Sequence, residues 1–568
     1  MTKKDAVHAL GVTADLLELL DENAFRVAAY RKAERNLDRF DGDWDLALAA
    51  RFKGVAGIGA QLGAALVDLH ETGLFPPLVE AANQVPAGVL ELFRVRGLGP
   101  KKARALWLAG IESLADLRAA IERGELAGIK GFGAATQEKL RGEVDFALRA
   151  ADRRLPPETE AAFAVLRERL AGVASRLEAA GSLRRGCETN GDLDAVAVGD
   201  REAVRAALNG TFREDLPNVV QAEVEGLPVE VAVVEPGGFG AALLIMTGSK
   251  AFREGVTNPA AERRGLTWRE SVLVGPDGSL VRTPEERDAF DALDLAVVPP
   301  EWREAEHLGL SVPDPAGWAT EKDLRGMVHV HSTWSDGTES VANMARAAQA
   351  AGYEYLGLTD HSRTAFYAGG LSIERVREQW VEVDALNGTL DGFRVLKGIE
   401  CDILPDGALD YPDEVLAGFD FVIASVHGQF GLSQADQTAR LVRAASHPMV
   451  TIMGHLTGRL LLQRPPFAVD QDAVLEAACA HGTAVEVNAN PHRLDLDWRV
   501  ALRWRERGLM SAICPDAHRP GGFQDVRYGL AVARKAGLRR EQILNTRSAA
   551  AFLDYARAKR ERGALSAS

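Results

Sequence analysis

The sequence predicts a multidomain protein of α and α/β class, helical towards its N-terminus and ending in an α/β barrel. Three observations carry that expectation. A Gly-x-Gly turn recurs three times between helical stretches, a pair of aspartates opens one apolar strand, and seven apolar runs in the C-terminal half each end on residues able to bind metal. At 568 residues the chain holds several domains, because a single core stops growing near about 250 to 300 residues. Apolar content of 46 % is ample for packed cores. Cys187, Cys401, Cys479 and Cys514 form no CxxC pair, so neither a disulfide framework nor a zinc ribbon is indicated, and a reducing cytoplasm fits. The segment from Met1 is polar and no run reaches the roughly 18 to 20 apolar residues that cross a bilayer, which argues against secretion and membrane insertion. A net charge of -15 argues weakly against a protein coated in nucleic acid, although local basic surfaces matter more than the sum.

The recurring turns read Val55-Ala-Gly57-Ile-Gly59, Val95-Arg-Gly97-Leu-Gly99-Pro-Lys101-Lys102 and Ile129-Lys-Gly131-Phe-Gly133, each opening a helix. Glycine permits the tight turn and a close backbone approach, and the following helix offers unpaired N–H groups at its positive end, so a phosphate is the natural guest. One such turn is an ordinary helix connection; three at related positions resemble the helix-hairpin-helix module, which grips the DNA backbone without reading sequence.

Next comes Gly181-Ser182-Leu-Arg184-Arg185-Gly-Cys-Glu188-Thr-Asn-Gly191-Asp192-Leu-Asp194 before an apolar strand. Asp192 and Asp194, two apart, point to one face and can hold divalent metal, while Ser182 and Arg185 supply a hydroxyl and a guanidinium for a triphosphate. This stretch resembles the nucleotidyltransferase palm of family X DNA polymerases, the group that contains DNA polymerase beta. The resemblance implies a third metal carboxylate at Glu230 and a nucleotide-binding turn at Gly248 and Ser249, with magnesium or manganese in the palm. It also implies departures: Ile245, Arg253 and Asn258 stand where the family carries a tyrosine, an asparagine and an arginine around the base pair. A pocket that keeps its phosphate grip and metal charge while losing base-pair sensing points to weak, error-tolerant or manganese-dependent synthesis.

The seven C-terminal runs are Met327–His331, Tyr355–His361, Val395–Glu400, Phe421–His427, Val450–His455, Ala484–Asn488 and Ser511–His518. Short apolar runs between helical patterns read as buried parallel strands, and active sites of α/β barrels gather where strands meet the following loops. A satisfied core histidine is the plain reading of any one position, but it would have to recur independently at every strand. Together the motifs resemble the polymerase and histidinol phosphatase (PHP) domain, a (β/α)7 barrel. The resemblance implies three ion sites: His329, His331, Glu400 and Asp516; Glu400 with His427 and His455; and Asp336, His361 and His518. Imidazole with carboxylate suits up to three zinc, manganese or iron ions, which can polarise a phosphoryl oxygen and supply hydroxide. Glu400, shared between ions, is the expected bridge and joins Asp192, Asp194 and Glu230 in the expected catalytic set. Arg459 and Arg493 are candidates for substrate phosphates, and Glu486 and Asn488 lie outside the ligand set.

These readings divide the chain into an N-terminal helical domain (1–80), a second helical unit with two hairpins (81–150), the palm (151–235), a thumb-like unit (236–300), a proline-rich linker (301–322) and the barrel (323–568). The function they imply is DNA repair by a cytoplasmic, nucleoid-associated monomer. It would combine a DNA polymerase with a metal-dependent 3′-5′ exonuclease, acting on gapped, nicked or 3′-ended DNA with deoxynucleoside triphosphates. The rivals are a PHP small-molecule phosphatase and a DNA-binding scaffold with an inert palm.

Overall fold

A computed structural model of the protein describes residues 3–40 and 42–566. The chain divides into two units, the first Met1–Asp152 with Leu462–Arg464 and the second Arg153–Leu461 with Pro465–Ser568. Among the described residues no helix is long and apolar enough to cross a membrane.

The first unit is helical. Lys3–Leu19 and Ala24–Asp38 form its longest early helices, the second capped by Asn23, whose side chain accepts from the Phe25 N–H. Leu10, Leu37, Phe52, Leu66, Leu92 and Leu106 meet in one core, as a 3.6-residue apolar period requires.

The second unit begins with a mixed sheet of β1 (Ala174–Ala179), β2 (Leu193–Gly199), β3 (Thr211–Phe212), β4 (Val219–Val224) and β5 (Leu227–Val234), ordered β1-β2-β5-β4-β3. Only β2 and β5 run parallel, and their register sets Asp194 beside Glu230. Alternation along β2 decides what each face meets. Leu193, Ala195 and Ala197 pack with Leu166, Leu170, Val204 and Leu208, whereas Val196 and Val198 pack with Phe239, Ala242 and Leu243. Asp194 has the parity of the second set, so it shares a face with the helix Phe239–Thr247 that delivers Gly248 and Ser249. A short hairpin, β6 (Thr267–Arg269) with β7 (Val272–Val274), and the helix Glu286–Ala292 follow.

The proline-rich stretch expected to act as a spacer does not behave as one. Trp302, Arg303 and His307 are buried, Trp302 stacks on His307 at 4.3 Å, and Trp302 Nε1 donates to the Arg534 carbonyl at 2.7 Å. Proline limits regular pairing here, but aromatic anchors and an ion pair between Lys535 and Glu304 (2.9 Å) fasten the segment to the barrel.

The barrel strands are β8 (Gly326–Val330), β9 (Tyr355–Leu358), β10 (Arg394–Lys397), β11 (Glu400–Asp402), β12 (Ile423–Ser425), β13 (Ile452–Met453), β14 (Ala484–Asn488) and β15 (Ser511–Cys514). β10 and β11 are two halves of one strand, the first paired with β9 and the second with β12, so seven parallel strand positions result among the described residues. The break falls at Gly398, where an added Cβ would sit 2.4 Å from the Phe421 ring and 2.5 Å from the Leu358 carbonyl. Hydrogen bonds from the His331 N–H to the Ala517 carbonyl (2.9 Å) and from the Ala517 N–H to the His329 carbonyl (3.1 Å) close the barrel. Val328, Tyr355, Phe421, Ile452, Ala484 and Ala512 share one cluster with Phe552 and Ala556 of the last helix.

Candidate functional site

All nine predicted barrel ligands converge. Groups able to share an ion comprise His331, Asp336, His361 and His518; His329, His331 and Asp516; and His361, Glu400 and His427, within each of which the ligand atoms lie within 4.8 Å of one another. The Glu400 carboxylate is the hub. Its Oε1 lies 3.3, 3.2 and 2.9 Å from His329, His427 and His455, and its Oε2 lies 3.7 and 3.0 Å from His331 and His361. Asp336 stands at the edge, 3.6 Å from His361 and 3.3 Å from His518. The grouping differs from the expected sets: Glu400 groups with His361 and His427 and not with His329, His331 and Asp516, His331 also joins the Asp336 group, and His455 falls in none of the three although its Nε2 lies 2.9 Å from Glu400.

Backbone geometry re-aims two ligands. The β8–β9 register shifts between Val328 and Val330, and His329 between them adopts φ 64°. Asp516 adopts φ 54°. Left-handed non-glycine residues cost energy, and they concentrate where a side chain must point into a site.

The donor set fits divalent ions. His329 Nε2, both ring nitrogens of His331, His361 Nδ1, His455 Nδ1 and Glu400 Oε2 are buried without a hydrogen-bond partner. Such orphans are costly unless something satisfies them, and nitrogen with carboxylate oxygen suits zinc, manganese or iron. The electrostatics agree. Burial opposes a charged imidazole at His361 and His427, yet Glu400 with Asp336 or Asp402 outweighs it and lifts them to about 10 and about 9. Burial and two neighbouring imidazoles push His331 down to about 3. Protons thus gather beside the carboxylates where cations would sit.

Two further carboxylates orient the ligands. Glu486, buried in β14, bonds His329 Nδ1 through one oxygen and accepts the His455 backbone N–H with the other. Asp402 bonds His427 Nδ1. Each turns the opposite ring nitrogen towards the cluster, as outer-sphere carboxylates do at metal sites. Asp402 escaped the sequence reading, although its position two residues after Glu400 places it on the same strand face. Arg493 reaches Asp516 at 3.4 Å. Arg459, read as a candidate phosphate contact, is instead consumed internally: it is buried against Glu188 (3.0 Å), Asp497 (3.0 Å) and the Leu494 carbonyl.

The palm residues assemble differently. Gly181, at φ 55°, lies so near Asp194 that a Cβ would fall 1.9 Å from Oδ2. Burial, then Asp192 and Glu230, lift Asp194 to about 7. Glu230, in register with Asp194, accepts from Arg213 (3.0 Å) and Gln221 (2.8 Å), neither of which the sequence singled out. Ser182 donates to Asn190 at 2.8 Å. Arg185 is fixed on two sides, by Glu304 at 3.0 Å and the Thr247 carbonyl at 2.8 Å, and the buried Lys535 shares that Glu304 oxygen. Ser249 caps its helix by accepting the Phe252 N–H at 3.1 Å, and the Gly248 N–H donates to the Leu244 carbonyl at 3.1 Å.

The three Gly-x-Gly turns share one geometry. Gly57, Gly97 and Gly131 take φ of 82°, 90° and 96°, and the middle residue's N–H returns to the carbonyl three residues back at 3.0–3.1 Å. Gly59, Gly99 and Gly133 each cap a following helix without a side-chain bond, and in the second of these Pro100 at the first position has no N–H to offer. Lys101 is exposed, 3.6 Å from Glu18, and Lys102 donates to the Gly97 carbonyl at 3.1 Å.

Residues 1–75 match the helix-hairpin-helix domain model, 89–143 the SAM-like helix-hairpin-helix tandem, 242–304 the DNA polymerase beta thumb and 328–483 the PHP domain. The DNA polymerase/3′-5′ exonuclease PolX of Bacillus subtilis (strain 168) is 33 % identical over 96 % of this chain and 98 % of its own length. A protein of Thermoanaerobacter sp. (strain X514) described as a probable phosphatase is 27 % identical over 38 % of this chain and 89 % of its own. Identity sustained from the hairpins through the barrel shows that the chain belongs to the PolX family, the family X DNA polymerases with a PHP domain.

Proposed function

We infer that this protein is a DNA repair enzyme that adds nucleotides at the palm and removes them from 3′ ends at the barrel. The observation that carries the reading is a chain holding two separate carboxylate centres, Asp194 beside Glu230 on the palm sheet with Asp192 just before the strand and the histidines and carboxylates that converge on Glu400 in the barrel, together with three left-handed Gly-x-Gly turns. Gapped, nicked or 3′-ended DNA is the proposed substrate and deoxynucleoside triphosphates the co-substrate.

In the palm, magnesium or manganese ions would be held by Asp192 and Asp194, with Glu230 completing the set once released from Arg213. Arg185 is already aimed by Glu304 and Thr247, so little orientational entropy is lost when its remaining N–H groups meet a triphosphate. In the barrel the residues would hold zinc, manganese or iron, ions that polarise a phosphodiester and lower the pKa of water. Glu486 and Asp402 keep His329 and His427 in the tautomer that presents Nε2 to the cluster.

The Thermoanaerobacter relative described as a probable phosphatase covers 38 % of this chain, whereas the relative described as a DNA polymerase/3′-5′ exonuclease covers 96 %. The test is to incubate the protein with an end-labelled oligonucleotide and, separately, with small phosphomonoesters. Mononucleotides from the first and no inorganic phosphate from the second are expected; the reverse would make it a phosphatase. Nucleotide incorporation on gapped DNA, lost in Asp192→Ala, separates an active palm from a scaffold.

A further inference from the structure

Between the ligand His361 and Leu371 the chain forms a short loop that is held at its base and bare at its tip. Asp410, buried, accepts from Arg363 Nε at 3.0 Å, the Thr364 N–H at 2.7 Å and the Thr364 hydroxyl at 2.5 Å. The Leu371 N–H returns to the His361 carbonyl at 2.9 Å, and Ala365, Ala368 and Leu371 are buried. Gly369 lies against Ser335, the neighbour of the ligand Asp336, where a Cβ would sit 3.3 Å from the Ser335 carbonyl. The loop is therefore tied by hydrogen bonds to Asp410 and to the ligand His361, and it packs beside the segment that carries Asp336.

At its tip Phe366 is 85 % exposed and Tyr367 64 % exposed, their rings edge to face at 6.1 Å. Among the described barrel residues only Val381 is another exposed large hydrophobic, so the two adjacent aromatics are not part of a generally apolar surface. Partial desolvation, then the charges of Asp402, Glu400 and Asp336, raise the Tyr367 hydroxyl above its ordinary value. An exposed aromatic pair on a pinned loop has no packing reason to exist.

We propose that Phe366 and Tyr367 form a stacking platform for the terminal nucleobases of a single-stranded 3′ end, seating the last phosphodiester at the metal cluster. The proposal rests on the exonuclease reading above. Every base has a π-face, so aromatic stacking grips DNA without sequence preference, and a pre-ordered loop loses little entropy on binding. An imidazole-carboxylate cluster alone cannot distinguish a nucleotide end from any other phosphate ester; the platform supplies that selectivity.

The test compares two single-stranded oligonucleotides that differ only at the 3′-terminal residue, one bearing 2-aminopurine and the other an abasic tetrahydrofuran. The parent should remove the base-bearing residue at a higher kcat/KM. Phe366→Ala and Tyr367→Ala should shrink that preference by about five- to hundredfold, mainly through KM, while Tyr367→Phe retains it. Quenching of 2-aminopurine on binding to the parent in chelator, weakened in both alanine variants, reads stacking without catalysis. Metal per chain equal to the parent's shows that each variant is folded. A preference unchanged in both alanine variants, or absent from the parent, overturns the platform and leaves these rings to a protein partner. A parent that releases nothing from either oligonucleotide overturns the exonuclease reading and the platform with it.

Discussion

Replacing Glu486 by glutamine isolates the contribution of a residue that touches no metal. Both carboxylate oxygens are in use, one on His329 Nδ1 and the other on the His455 backbone N–H. The amide offers one oxygen and one NH2. A backbone N–H cannot become an acceptor, so the oxygen must face His455 and the NH2 must face His329 Nδ1. The imidazole can answer only by moving its proton to Nε2, the atom that looks towards Glu400 at 3.3 Å and Asp516 at 3.6 Å. That places a hydrogen on the nitrogen whose lone pair an ion would accept. Loss of such an orienting carboxylate costs about 10- to 100-fold in metal affinity, or roughly 1.4 to 2.8 kcal/mol. The assay is a competition titration against a chelating dye, paired with exonuclease rate as a function of metal concentration. Glu486→Gln should need about 10- to 100-fold more metal for half-maximal rate. Parental affinity with an intact fold would refute the tautomer argument.

Glu400→Ala should lose more than one ion by elemental analysis and abolish degradation, because its two oxygens face five imidazoles; Asp336→Ala, at the edge, should lose at most one ion and keep partial activity. Lys101→Glu with Lys102→Glu should weaken DNA binding equally across sequences and reduce the log-log salt slope by about 0.9 per lost phosphate contact; an unchanged slope would show that these lysines only solvate a helix. Asp194, raised to about 7 by burial and then by Asp192 and Glu230, favours its protonated form in the fold. That stabilisation is full below about pH 4 and lost as pH rises through 7, so in chelator Asp194→Asn should raise the Tm over the parent at pH 8, by up to about 4 kcal/mol in stability, and not at pH 4. Equal melting at both values would contradict it. Glu230→Asp should raise incorporation in magnesium more than in manganese, since magnesium tolerates less distortion; primer extension in each ion reads the difference.

What was legible in the sequence was whatever is local. His329, His331, His361 and Asp516 sit at strand ends, and a two-residue period with ligand-type side chains betrays them without knowledge of their partners. Gly57, Gly97 and Gly131 declare left-handed turns by residue type. What depends on tertiary pairing was not visible. Asp402 and Glu486 look like any acidic residue until a histidine ring is brought against them, and Lys535 and Glu304 look solvated until burial pairs them. Arg459 shows the opposite error, a guanidinium beside a ligand that turns out to be saturated by Glu188 and Asp497. Proline content in residues 301–322 suggested a spacer because composition says nothing of where Trp302 and His307 find a cavity. Glu230 was expected from the family resemblance, whereas its register beside Asp194 and its capture by Arg213 and Gln221 required coordinates.

The central claim is that one chain carries two independent catalytic centres. A primer annealed across a short gap and labelled at its 5′ end reads both at once, with nucleotides for extension and without them for shortening, for the parent, Asp194→Ala and Glu400→Ala. The account predicts that Asp194→Ala shortens the primer at the parental rate but never extends it, and that Glu400→Ala extends it but never shortens it. Loss of both activities in either folded variant, or shortening that persists in Glu400→Ala, would contradict it.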